Sequence, residues 1–298
     1  MSSWQSGVVR GALTGFSFVI ERLPLAWMRH ARTGSAAAAA RQAGVGHAVM
    51  TAAGVRAEWF TPPGVSAGPL VLYLHGGGWT LGLSVAHYRF LAALSRRLNW
   101  RVLAVDYRLA PEHPFPAGLE DCLAAYRWLR AQGQPAEQIC VAGDSAGGNF
   151  TLALLLALKA AGEPLPAAGV CLSPAVDLTW PIPAVVRDPL LTRRFAQRLI
   201  AAYIKDVDAA NPLISPRFGD LAGLPPLLIQ IGGLDLLCPS VEDFAARARA
   251  AGVDVTLELE PELWHVWPLF ADFVPEAETA VQSFVNFARR RAAQPVAG

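Results

Sequence analysis

Apolar positions along this chain fall into two kinds of run, and the two alternate. Short runs such as Pro69-Leu70-Val71-Leu72-Tyr73-Leu74 and Leu227-Leu228-Ile229-Gln230-Ile231 are apolar at nearly every position. That is the pattern of strands covered on both faces. The segments 100–107, 138–142 and 167–173 read the same way, and 253–259 also predicts a strand. Between them lie stretches with apolar residues at every third or fourth position. Examples are Phe90, Leu91, Leu94 and Leu98 over 88–98, and Leu119, Cys122, Leu123, Tyr126 and Leu129 over 118–131. That spacing predicts helices, as it does over 149–159, 241–251 and 276–291. Strands that alternate with helices through right-handed crossovers build an α/β fold, a mostly parallel central sheet flanked by helices. Ahead of them, 46–51 and 55–60 predict a hairpin.

The rhythm fails in two places. Residues 1–45 are helical in pattern, with Phe16, Val19, Ile20, Leu23, Leu25 and Trp27 as their apolar side. Residues 177–215 open on an irregular Pro-rich stretch. An amphipathic helix over 190–204 follows, with Leu190, Leu191, Phe195, Leu199, Ile200 and Tyr203 on one side. Both pieces are expected to form a helical cap over the carboxyl edge of the sheet. The expected organisation is therefore N-terminal cap helices at 1–45, a catalytic core at 46–176, a cap insertion at 177–215 and the rest of the core at 216–298.

The composition suits this picture. The chain has 298 residues, of which 53% are hydrophobic and only 16% charged, enough for one large core. A net charge of +1 gives no case for nucleic acid. Cys122, Cys140, Cys171 and Cys238 form no C-x-x-C pair and are expected as buried thiols in a reducing compartment. No Cys/His cluster suggests a metal. The apolar run at 11–20 is interrupted by Gly15 and Ser17, with no small-x-small cleavage site soon after it. No run reaches the length of a membrane span. The expectation is a cytoplasmic protein with no membrane partner.

Candidate chemistry centres on Gly143-Asp144-Ser145-Ala146-Gly147-Gly148, between the strand 138–142 and the helix 149–159. A serine between glycines at such a corner is a nucleophile elbow. The turn leaves no room for bulk at 143 and 147, and the helix start aims free N–H groups at the serine. A serine hydroxyl needs a base, and the order on this scaffold is serine, acid, histidine. His265 is the only histidine after Ser145. It lies just past a strand and between Trp264 and Trp267. The acid should follow the strand ending near Ile231, and Gly232-Gly233-Leu234-Asp235 supplies Asp235. Asp254, Glu258, Glu260 and Glu262 are rivals by proximity, but they share the histidine's own strand. His75-Gly76-Gly77-Gly78-Trp79 can bring backbone N–H groups to a carbonyl oxygen. The expected oxyanion donors are Gly77, Gly78 and Ala146, with His75 tying down the loop. Trp79, Trp180 and Trp267 are candidates for narrowing a substrate pocket.

Three motifs in order, His75-Gly76-Gly77-Gly78-Trp79, Asp106-Tyr107-Arg108-Leu109-Ala110-Pro111-Glu112-His113-Pro114 and Gly143-Asp144-Ser145-Ala146-Gly147-Gly148, resemble the hormone-sensitive-lipase-like esterases, bacterial family IV. Trp264-His265-Val266-Trp267 is similar to the segment around that family's catalytic histidine. The resemblance runs from about residue 46 onward. It implies an alpha/beta-hydrolase core with a helical cap, and carboxylesterase activity on short- to medium-chain acyl esters through Ser145, His265 and Asp235. It implies no metal or cofactor. One departure falls at the acid: family members often carry Asp-Pro-Leu, and this chain has Asp235-Leu236-Leu237 followed by Cys238-Pro239. Amide or lactone hydrolysis by the same groups is the alternative reaction. A non-catalytic receptor on the same scaffold is disfavoured because His265 is present. The strand at 253–259 is expected near an open sheet edge, which invites a homodimer.

Overall fold

The computed structural model describes residues 3–20, 22–25, 28, 35–182 and 188–292. Its centre is an eight-stranded sheet of β1 (Gly46–Ala52), β2 (Val55–Thr61), β3 (Leu70–Leu74), β4 (Arg101–Val105), β5 (Ile139–Asp144), β6 (Ala168–Leu172), β7 (Leu227–Gly232) and β8 (Val255–Glu260). The spatial order is β1-β2-β4-β3-β5-β6-β7-β8. The hairpin β1–β2 and the β2–β4 pair are antiparallel, and every pair from β4 to β8 is parallel. β8 ends the sheet at one edge.

Successive residues of a strand point to opposite faces, and the core divides accordingly. On β3, Leu70, Leu72 and Leu74 face one apolar layer, while Val71 and Tyr73 face the other. The helices are α1 (Trp4–Ile20), α2 (Ala36–Ala43), α3 (Val85–Leu98), α4 (Ala117–Ala131), α5 (Ala146–Ala160), α6 (Arg193–Ile204), α7 (Cys238–Ala250) and α8 (Pro275–Ala292). The first layer packs α4, α5 and α7 through Leu119, Leu152 and Phe244. The second packs α2, α3 and α8 through Ala40, Leu91 and Phe284.

Two helix starts are set away from their expected places by side-chain caps. α3 begins three residues before position 88 because Ser84 and His87 form a capping box. α6 begins at Arg193 rather than 190, since the Thr192 hydroxyl accepts from the Phe195 N–H at 3.2 Å. Within 1–45, α2 packs in the core layer with α3 rather than over the sheet edge. α1 lies beside the loop after β8, with Val9 and Leu13 against Leu263, Trp264 and Trp267. Val19 is 53% exposed rather than packed inward. Trp27 and the side chains of Phe16 and Ile20 lie outside the described residues. Leu25 and Met28 reach the insertion, packing with Leu191, Phe195 and Leu199. Among the described residues, no helix is long and apolar enough to cross a membrane.

Candidate active site

Every group singled out for chemistry stands at the carboxyl ends of the parallel strands, where loops are free of ladder hydrogen bonds. Ser145 follows β5 and immediately precedes α5. Its φ of 51° and ψ of −115° are held by its N–H on the Leu172 carbonyl (2.8 Å) and by its own carbonyl, which accepts from Asn149 N–H (3.0 Å). The corner needs glycine at 147: a Cβ there would run into the Leu74 carbonyl of β3. Trp79, Ser173 and Val266 also take left-handed φ values of 58°, 49° and 52°. Strain of this kind gathers at working sites. Val266 is fixed by its N–H on the Ser173 hydroxyl at 2.9 Å.

Ser145 Oγ lies 2.8 Å from His265 Nε2. His265 Nδ1 lies 3.1 and 3.0 Å from the two oxygens of Asp235. A carboxylate only accepts, so the Nδ1–H donates to it and Nε2 is left to accept from the serine. Asp235 sits in the turn from β7 to α7 and accepts the Leu237 N–H at 2.9 Å. With 236 a leucine and Pro239 in the first turn of α7, the unusual segment still delivers its acid to the histidine. Asp254 instead pairs with Arg291, and Glu258 with Ser283 and Gln230, away from His265. Asp235 and His265 are 4% and 5% exposed. Burial opposes charging the imidazole, while Asp235 favours it by charge and hydrogen bond. Asp188 and Asp144 add to that, so the His265 pKa is raised above its ordinary value.

The glycine loop after β3 is tied to the elbow by a buried polar network. Asp144 Oδ1 accepts from Gly76 N–H at 2.9 Å and Tyr73 O–H at 2.8 Å, and Oδ2 contacts His87 Nε2 at 3.2 Å. The Ser84 N–H donates to His87 Nδ1 at 3.0 Å, so Nε2 carries the proton given to Asp144. Burial pushes Asp144 up, and His87, Tyr73 and Gly76 together outweigh that and hold it below the usual carboxylate range. His75 stacks on Tyr107 at 4.2 Å, and its Nδ1–H donates to the Gly76 carbonyl at 2.7 Å. Burial, with His87 nearby, lowers its pKa to about 4, which leaves it neutral at pH 7. Gly77 has a φ of 112° and Gly78 one of 58°, and Gly78 lines the same cavity as Ser145. Ala146 is the first residue of α5, so its N–H has no intrahelical acceptor.

A cavity of about 50 Å³ opens on Ser145. Its walls are mostly apolar: Gly78, Trp79, Trp180, Leu199, Ile200 and Leu236 among others. Trp79 stacks on Tyr203 at 4.3 Å. Trp180 lies under the guanidinium of Arg217, which also pairs with Asp177 and Asp243. Trp267 does not line this cavity. It is buried behind His265 with Leu263, Trp264 and Val274, because the short 3₁₀ turn Trp267–Phe270 directs it inward.

Asp188, Asp235 and His265 bring ligand-type atoms within 4.8 Å of one another. These atoms are already engaged: Asp235 with His265, and both oxygens of Asp188 with backbone N–H groups. That is a hydrogen-bonded relay rather than an open cation cage. Asp188 was not visible as a site residue in the sequence, where it closes an irregular Pro-rich stretch with no periodicity.

A profile of the alpha/beta hydrolase fold matches residues 71–269, and the chain belongs to that family. It is 41% identical over 245 residues to an acetyl-hydrolase of Streptomyces hygroscopicus, covering 81% of this chain and 82% of that one. It is 35% identical over 241 residues to an esterase of Acinetobacter venetianus, covering 79% of each. Among solved structures, an esterase from the bacterial hormone-sensitive lipase family is 36% identical with a TM-score of 0.82, over 98% of this chain and 99% of that chain. Within the alpha/beta hydrolases, the chain is a member of these hormone-sensitive-lipase-like esterases.

Proposed function

We propose that the protein is a carboxylesterase that acts through Ser145, His265 and Asp235. The observation that carries this reading is the unbroken line from Ser145 Oγ to His265 to Asp235, 2.8 Å and then 3.0 Å, opening on a mostly apolar cavity. Ser145 attacks the ester carbonyl as His265 Nε2 takes its proton. The oxyanion is received by the N–H groups of Gly77, Gly78 and Ala146. His265 then protonates the departing alcohol, leaving an acyl-serine. Water attacks that acyl group with His265 again as base, which returns the serine and releases the acid. Asp235 fixes the imidazole tautomer and stabilises the imidazolium. Labelling of Ser145 by a fluorophosphonate, absent in Ser145→Ala, tests the assignment; labelling at full rate in the variant overturns it.

The small cavity and its tryptophans support short acyl chains, and the name of the acetyl-hydrolase relative agrees. Rates on p-nitrophenyl esters of rising length should peak at two to four acyl carbons, about tenfold or more above the decanoate. A peak at the decanoate overturns this preference. The open edge of β8 supports a homodimer by strand pairing; sedimentation as a monomer overturns that.

A further inference from the structure

A second buried carboxylate stands beside His265 and has no part in the mechanism above. Asp188 is 6% exposed and lies ahead of α6. Its Oδ1 accepts from Leu190 N–H (2.8 Å) and Leu191 N–H (3.1 Å). Its Oδ2 accepts from His265 N–H (3.2 Å) and Leu236 N–H (3.3 Å). One side chain thus takes main-chain donors from the cap insertion, from the residue after Asp235 and from His265 itself.

We propose that Asp188 is a positioning residue that pins the Asp235 and His265 loops to each other and to the cap insertion, so that the line to Ser145 is complete only with the cap seated. This rests on the reading of Ser145, His265 and Asp235 as the reacting groups.

Three observations carry it. First, both oxygens face N–H donors, so a carboxyl proton would confront a donor, and the ionised form is the one the geometry accepts. Second, the placement is costly. Burial and the neighbouring Asp235 push Asp188 up to about 6, while His265 and the Leu190 and Leu191 N–H groups pull the other way. A turn cap alone is satisfied by those two local N–H groups and needs no second oxygen aimed into the site. Third, the Leu236 bond belongs to this chain's Asp235-Leu236-Leu237 segment. A proline at 236, as in the family's common Asp-Pro-Leu, has no N–H to give.

Among the described residues, Asp235 and His265 are the titratable groups shown to act on Asp188; the Leu190, Leu191 and Leu236 segments give it backbone N–H groups. The charge on Asp188 favours the protonated imidazole, so removing it lets the His265 pKa fall.

The test compares Asp188→Asn and Asp188→Glu with wild type and Ser145→Ala, using p-nitrophenyl acetate across pH together with melting temperatures. Asp188→Asn should lower kcat about 10–100-fold, the cost of misplacing reacting groups by about 1 Å, with KM within about threefold. The acidic limb of its kcat/KM profile should move to lower pH. Asp188→Glu keeps the charge on a longer arm, so kcat should fall while the limb stays near its wild-type place. Wild-type kcat in Asp188→Asn, or a lowered melting temperature with an unmoved limb, overturns the proposal. Should Asp188→Asn fail to fold, Asp188→Glu decides: kcat loss with an unmoved limb supports the proposal, and wild-type kcat overturns it. Activity retained in Ser145→Ala would defeat the underlying reading instead; an inactive Ser145→Ala beside an unaffected Asp188→Asn defeats only the role of Asp188.

Discussion

On the nucleophile side of the site, geometry is made by six consecutive residues and the strand they cross; on the acid–base side, it is assembled from segments far apart in the chain. Ser145 is placed by backbone alone: a left-handed φ, a crossing so close that only glycine fits at 147, and a helix that starts on the next residue. Asp235 and His265 stand 30 residues apart on separate loops, joined by their own hydrogen bond and by Asp188 from a third segment. Backbone-built geometry is stiff and local. Geometry built from side chains of several segments can be loosened one contact at a time.

Substitutions should expose that difference in order of size. Ser145→Ala should lower kcat by about 10⁴-fold or more, read from p-nitrophenyl butyrate hydrolysis. His265→Ala should match it, and the double variant should lose no more than either single one, since the groups act as a unit. Next, Gly77→Ala forces a side chain onto a φ of 112° and against Leu81. The loop must shift, and kcat should fall about 10²–10³-fold, the cost of one oxyanion donor, with fluorophosphonate labelling slowed in step.

The pH profile sharpens the acid–base half. His265 must be neutral to accept the serine proton, so activity is lost as pH falls through its pKa. Because Asp235 and its neighbours raise that pKa, the acidic limb of kcat/KM should lie above 6.5. A limb below that value would show that Asp235 does not hold the imidazole as described. Tyr73→Phe removes one donor from Asp144 and should cost about 1.5–3 kcal/mol of stability in urea unfolding. Its kcat should drop less than about tenfold, since Gly76 N–H and His87 still hold the carboxylate. The smallest effect is on selectivity: Leu199→Ala widens the cavity beside Gly78 and should raise the octanoate-to-acetate ratio of kcat/KM about tenfold.

What could be read in the sequence follows the same division. The central strands announced themselves because both faces are covered, as Leu70 to Leu74 of β3 show with no exposed residue. Ser145 was legible because the chemistry of its turn is written in adjacent glycines. Asp235 and His265 were legible by elimination, from a strand end and a lone histidine. Asp188 was not: its role comes from N–H groups of 236 and 265, which no local pattern places beside it. Trp267 misled for a related reason. Adjacency to His265 placed it near the site, but the 3₁₀ turn that follows buries its ring away from the cavity. The exposure of Val19 could not be read from helical spacing either, because periodicity marks one side of a helix without saying what will cover it.

The serine precedes the histidine by 120 positions, and translation proceeds from the amino end at about 5–20 residues per second. A growing polypeptide therefore carries Ser145 for about 6–24 s before His265 has been polymerised. On the proposed mechanism, the hydroxyl has no base to activate it during that interval. Activity on that mechanism waits on the last of the three groups to be made, His265.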